Sequence, residues 1–413
     1  MNSFTVSIYL LSLLFIAVRF LRNRVGRGAS VWVYFWLLFL MFSPGLILDV
    51  QRLFFWGNVG AFNITLLFIL LIFTLLPWIC FDTWYKNVSS ITITEGGVSI
   101  LSIVFRIVII SCLFSYFYIF PYALKSFSMG AAETRGLVNS DESVMPASIF
   151  TTFAVGVASI SPFYIFLFFL SWLHPRLKKY SIWLFLSSFV YVVVSMPFMA
   201  RDGFVTLPVF FIIFYLIFKR FINAKDVKRV KRYFVLLSFV AGSLLLVYSV
   251  SRFFDGEESG TVPMRLIDGI WGYIYQQPYV FDRTLNFQES WHGLSLRFPL
   301  LAKLLGQPII HVERVQDFET MFGTMLSEFY SIGGYWPLFL FTFAFVFIYY
   351  LGIRLFIHWN NYFSLFLIFI TYLMIEVSGL FYFRYGGLTF NWLFIILTLF
   401  PFFLNRRILI VRK

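Results

Sequence analysis

Uninterrupted apolar runs recur along the chain at lengths close to twenty residues. They fall near 3–20, 31–48, 61–80, 99–121, 149–173, 181–199, 203–220, 233–250, 336–355, 362–382 and 387–404. A helix rises 1.5 Å per residue, so about twenty residues cross a hydrocarbon layer roughly 30 Å thick, where every backbone polar group must bond internally. The eleven runs therefore predict about eleven transmembrane helices. The ten-residue alternation of barrel strands is missing. Composition agrees, because only 12% of residues are charged and 60% are hydrophobic, whereas a soluble domain carries roughly a quarter charged residues. The fold class expected is an all-α polytopic integral membrane protein.

Sidedness follows from where Lys and Arg collect, since basic loops stay on the cytoplasmic side. One group, Arg19, Arg22, Arg24 and Arg27, follows the first run. Others are Arg176, Lys178 and Lys179 after the fifth, the stretch KRFINAKDVKRVKR after the seventh, and Arg406 to Lys413 at the end. With eleven spans all four groups share one side, which puts the N-terminus outside and the C-terminus inside. The opening NSFTVSIYLLSLLFIAVRF has its arginines behind the apolar run, not ahead of it, and reads as a retained first span instead of a cleaved signal. The formal net charge of +13 then reports topology. Basic loops lie against anionic lipid, and no nucleic-acid partner is expected.

Three segments result: eight spans over residues 1–251, a loop of about eighty residues over 252–335, and three spans with a tail over 336–413. The loop falls on the non-cytoplasmic side. Its stretches MRLIDGIWGYIYQQPYVF and LRFPLLAKLL carry apolar residues at near-helical intervals, which predicts short amphipathic helices at the membrane face. A smaller outer stretch, 125–148, is polar and rich in small residues. No internal repeat and no inverted pair of interrupted spans is present, which argues against a secondary transporter.

Cys80 and Cys112 sit inside apolar runs as small hydrophobes, and the four histidines have no ligand spacing, so no transition metal and no cofactor are expected. A glycine-rich nucleotide loop is also missing. Any chemistry should use a substrate that arrives already activated at the outer leaflet. Arg201, Asp202 and Gly203 form a minimal turn between the sixth and seventh runs. That turn is either a plain polar connection or an anion clamp, because a guanidinium stays charged and offers a planar fork to phosphate oxygens. Arg252, Arg265, Arg283, Arg297 and Arg384 fall on the same outer side, so several fixed cations there would suit a polyanion such as a lipid diphosphate. Two carboxylates stand out. Glu376 lies within the tenth run, where a charge costs roughly 2.5–3.5 kcal/mol and calls for a polar cavity or a partner such as Arg384; Glu328 lies just before the ninth. His292 and His311 are the outer-face histidines, candidates for carrying a proton.

This pattern resembles the O-antigen polymerases, the oligosaccharide repeat-unit polymerases of bacterial surface polysaccharide synthesis. Three passages carry the resemblance: Arg201-Asp202-Gly203 ahead of an apolar run, LRFPLLAKLLGQP with Lys303 and Pro308, and ETMFGTMLSEFYSIGGYWPLFL. In the last, Thr320, Gly323, Glu328 and Gly333 or Gly334 take the motif positions, with glutamate where aspartate is usual and extra residues before the glycine. The resemblance implies a glycosyltransferase of the bacterial inner membrane that joins undecaprenyl-diphosphate-linked oligosaccharide units at the outer face, alongside a chain-length regulator. Arg201, Asp202 and Lys303 lie in the passages that carry the resemblance and are expected at the diphosphate and sugars; from their outer-side charge Arg297 and Arg384 are expected to join them, with Arg252 and Arg265 in reserve. The general base stays open between Glu328, His292 and Glu376. A ligase attaching finished chains and a flippase for the same lipid are the neighbouring alternatives.

Overall fold

The structure, a computed structural model, describes residues 3–22, 24, 29–43, 60–129, 134, 144–198, 202–254, 276–286, 291–308, 323–381, 387–404 and 410–412. The first helices are α1 (Ser3–Arg22), α2 (Trp32–Phe42), α3 (Ala61–Thr74) and α4 (Leu76–Tyr85), followed by strand β1 (Ile91–Ile93). Next come α5 (Glu95–Met129), α6 (Ile149–Ser159), α7 (Ser161–Ser171), a 3-10 turn Pro175–Tyr180, α8 (Ser181–Ser188), α9 (Val190–Ser195), α10 (Asp202–Phe218) and α11 (Ala224–Phe254). The chain ends with α12 (residues 276–286), α13 (Pro299–Leu304), α14 (Met325–Tyr330), α15 (Tyr335–His358), α16 (Tyr362–Gly379), α17 (Leu388–Phe403) and strand β2 (Ile410–Arg412).

The chain is helical and membrane-type, and the described parts of the apolar runs fall mostly on helix, but the expected count of eleven spans does not hold. Among the described residues six helices are long and apolar enough to cross a membrane, and seven if the bent pair α6 and α7 is one span. Length explains part of the difference. Helix α2 has 11 residues and α17 has 16, so they reach roughly 16 and 24 Å, short of the roughly 30 Å core. The apolar part of α10, Gly203–Phe218, is similarly short. The 149–173 run breaks at Ile160, with Pro162 in the first turn of α7, and its halves meet at 51°. Many side chains of the 233–250 run lie outside the described residues.

The chain divides into two compact units, residues 1–87 with 267–406 and residues 88–266 with 407–413. In the first unit α16 is the central helix, with all its residues from Ser364 to Gly379 buried. Asn361 starts it, its side chain accepting the Ser364 N–H at 3.3 Å. Helices α3 and α4 run antiparallel to it: Trp84 stacks near Tyr362 at 5.5 Å, Phe81 lies on Phe369 at 3.6 Å, and Thr74 reaches Glu376. Apolar side chains gain little by leaving lipid for a helix interface, so tight packing of this kind, and hydrogen bonds, hold such helices together. Tyr349 to Thr398 at 2.8 Å and Ser364 to the Pro401 carbonyl at 2.8 Å bind α17 to the same bundle.

In the second unit β1 and β2 pair antiparallel, Ile91 opposite Arg412, a small sheet the helical expectation did not include. Phenylalanines 166, 168, 169, 185, 211 and 218 interlock across α7, α8 and α10, and Tyr233 of α11 packs on Phe168 and Phe185.

Candidate functional site

The helix ends of the first unit define where a site can form. Because α15 and α16 make a hairpin through Trp359–Asn361, the start of α15, the end of α16 and the start of α17 share one end of the bundle. Asn63 at the start of α3 joins them there, and the three short helices of the loop segment gather on the same end. Helix α14 docks with Met325 against Gly379, and its Tyr330 hydroxyl donates to the Leu285 carbonyl of α12 at 3.2 Å. Burial and the nearby Tyr335 raise the Tyr330 phenol above its ordinary range, so it remains a donor at physiological pH.

The pair Arg297 and Glu328 lies at this end. Arg297 Nε donates to Glu328 Oε2 at 2.5 Å and Nη2 donates to Oε1 at 2.6 Å, a two-pronged match of fork to carboxylate. Both side chains are nearly enclosed, 12% and 13% exposed. Local chemistry fixes each partner. Thr324 caps α14 by accepting the Ser327 N–H, which presents Glu328 from the first turn. The Arg297 carbonyl accepts from Gly387 N and from Asn391 Nδ2 at 3.1 Å, anchoring its backbone to the start of α17.

The backbone N–H of His292 donates to the Ser331 carbonyl at 2.7 Å, and Ser331 lies one turn from Glu328. Trp291 next to it covers Gly334, the residue that opens α15 at φ 91°, where a side chain would be strained and would strike the indole. Gly323 has a similar reason: a Cβ there would stand 2.8 Å from Val280 of α12. Both glycines belong to the motif positions read from the sequence.

A second polar cluster ties α12 to α3. Asp282, fully buried, accepts from Asn63 Nδ2 at 2.7 Å, from Gly60 N at 3.0 Å and from Asn286 Nδ2 at 3.2 Å. Arg283 beside it lies over the Tyr279 ring at 5.1 Å. Sequence reading missed the Asp282 clamp, because nothing local marks its partner 219 residues away.

Of the remaining expected charged residues, the described structure places the side chains of Lys303 and Glu376. Lys303 is exposed on α13, and Ser295 Oγ donates to the Pro308 carbonyl close by. Glu376 is fully buried inside α16. Arg201, Arg265, Arg384, His311 and Thr320 lie outside the described residues. Asp202 opens α10 and Arg252 lies near the end of α11, and both side chains are outside them too. Among the described residues no group of three or more His, Cys, Asp or Glu side chains is arranged to hold a metal ion.

Below this end, along α3 and α4, Thr74, Trp78 and Asp82 recur every fourth residue and line one helix face. Asp82 accepts from Ser30 Oγ at 2.9 Å and Val31 N at 2.8 Å, and Trp78 Nε1 donates to the same Ser30 oxygen. This ladder fastens the start of α2, and its spacing is the signal that could have revealed it in the sequence. No family model, no curated protein and no solved structure matches the chain.

Proposed function

We propose that the protein is a glycosyltransferase of O-antigen polymerase type, working at the outer face of a bacterial inner membrane on undecaprenyl-diphosphate-linked oligosaccharides. The observation that carries this reading is the Arg297–Glu328 fork at the end of the first unit where the loop helices gather. A guanidinium already oriented, and largely shielded from water, costs no reorganisation when negative charge develops on a departing diphosphate. Glu328 uses both oxygens on Arg297, and Glu376 lies within the helix core, which leaves His292 as the proton acceptor.

In the reaction the acceptor sugar's hydroxyl oxygen bonds to the anomeric carbon of the growing chain. The bond from that carbon to the phosphate oxygen breaks, the diphosphate leaves with the electron pair on its lipid, and the hydroxyl proton passes to His292. Lys303, exposed on α13, adds charge for the second lipid-linked unit or its headgroup. A chain-length regulator fits this reading as a protein partner.

Arg297→Ala tests it. The substitution leaves the enclosed Glu328 carboxylate unpaired, so glycan is compared per variant chain in the membrane. Expressed in a host lacking the wild-type chain, the variant should lower chain lengthening about 10²- to 10³-fold per chain, leaving single repeat units on the surface glycan gel. Long polysaccharide at wild-type abundance would exclude the reading. In the null host, loss of all external glycan would identify a flippase, and lipid-linked long chains left unattached would identify a ligase.

A further inference from the structure

Glu376 has no role in the chemistry above, and its surroundings are unusual for a carboxylate. It is 0% exposed in a helix buried on every side. Oε1 accepts one hydrogen bond, from Thr74 Oγ1 at 2.7 Å. Oε2 completes none of normal geometry among the described residues, and neither does the buried hydroxyl of Tyr34 on α2, although the two groups are close enough to interact. Tyr372, one turn earlier on α16, also faces this spot but gives its hydroxyl to the Thr74 carbonyl at 2.6 Å. From α4 the neighbour is Trp78, whose ring edge meets Tyr34 at 5.9 Å. The groups presented by α2, α3, α4 and α16 are thus Tyr34, Thr74, Trp78 and Tyr372; α15 brings Phe345 and Tyr349 against Tyr372, α17 carries no titratable residue, and none of these groups is a cation.

An ionised carboxylate is a pure acceptor, and burying one with a single completed hydrogen bond and no cation facing it among the described residues is far more costly than burying a neutral acid. A proton on Oε2 removes both defects at once. The acid becomes a donor, and the Tyr34 oxygen that faces it becomes its acceptor.

We infer that Glu376 is a proton-binding site in the membrane interior of the first unit, its carboxylic acid donating from Oε2 to the Tyr34 oxygen while Oε1 accepts from Thr74. The bound proton joins α2, α3 and α16 at one point. It is independent of the polymerase reading, because the site stands whatever the loop end transfers.

Difference infrared spectroscopy of the full chain in lipid nanodiscs at pH 7 reads the site directly. Wild type minus Glu376→Gln should show the carbonyl stretch of a protonated carboxylic acid, and carboxylate stretches in its place would overturn the inference. Tyr34→Phe gives a second reading that leaves Glu376 in place. Removing the acceptor should move the acid's carbonyl band to higher wavenumber with the band retained, and an unmoved band would overturn the assigned partner. Neither readout depends on glycan length, so failure here and failure of the polymerase reading are distinct results.

Discussion

The two units treat their ion pairs differently. In the second unit Arg176 and Glu95 meet at 2.9 Å with both side chains more than 70% exposed, and Lys178 reaches the buried carboxylate of Asp226 from a side chain that is 31% exposed. These pairs sit among the basic loops and hold single, point-like contacts. In the first unit Arg297 and Glu328 are clasped through two parallel bonds and nearly enclosed. Water screens the Arg176–Glu95 pair, so it contributes little to stability; Asp226 is itself buried and also has Arg229 at 3.9 Å, and the enclosed fork of Arg297 and Glu328 keeps its orientation. Enclosed charge is costly to maintain. It is found at one helix end, among the short helices of the loop segment, and the proposed reaction draws on it.

The contrast can be broken by removing one partner from each pair. Glu328→Ala leaves an uncompensated, mostly buried guanidinium and should lower the stability of the first unit by roughly 3–5 kcal/mol, visible as a reduced unfolding midpoint in detergent together with loss of chain lengthening. Glu328→Gln keeps the shape but not the charge and should fall between the wild type and the alanine variant. Lys178→Ala leaves the buried Asp226 carboxylate with Arg229 at 3.9 Å, so it should cost less than Glu328→Ala but more than Arg176→Ala, and leave glycan length unchanged. Arg176→Ala should have no measurable effect on either. If Lys178→Ala abolished chain lengthening with the fold intact, the site would not belong to the first unit alone.

The helical, membrane-spanning class was legible because apolar runs near twenty residues admit few other folds. The number of spans was not. Hydropathy registers how apolar a stretch is, and it cannot tell Trp32–Phe42, an 11-residue helix, from a full crossing, nor see the 51° break ahead of Pro162. The site was legible in part. Arg297, Glu328 and His292 were each singled out for their chemistry, but Arg297 and Glu328 are 31 residues apart and nothing local announces that they bond. Asp282 with Asn63, and Asp82 with Ser30, passed unnoticed for the same reason, since long-range pairing is written in packing and not in neighbouring residues. The ladder Thr74, Trp78, Asp82 was the exception, open to a reader who counted polar residues at helical intervals within an apolar span.

Sidedness is the most direct test, because diphosphate chemistry on a lipid carrier at the outer leaflet requires the Arg297–Glu328 end to face away from the cytoplasm. A cysteine introduced at exposed Lys303 on α13, in a chain without Cys80 and Cys112, can be probed with a membrane-impermeant maleimide. Labelling of intact spheroplasts is the expected result, with a cysteine at Arg176 labelled only after the membrane is opened. Labelling at position 303 that appears only after opening would contradict the proposed reaction.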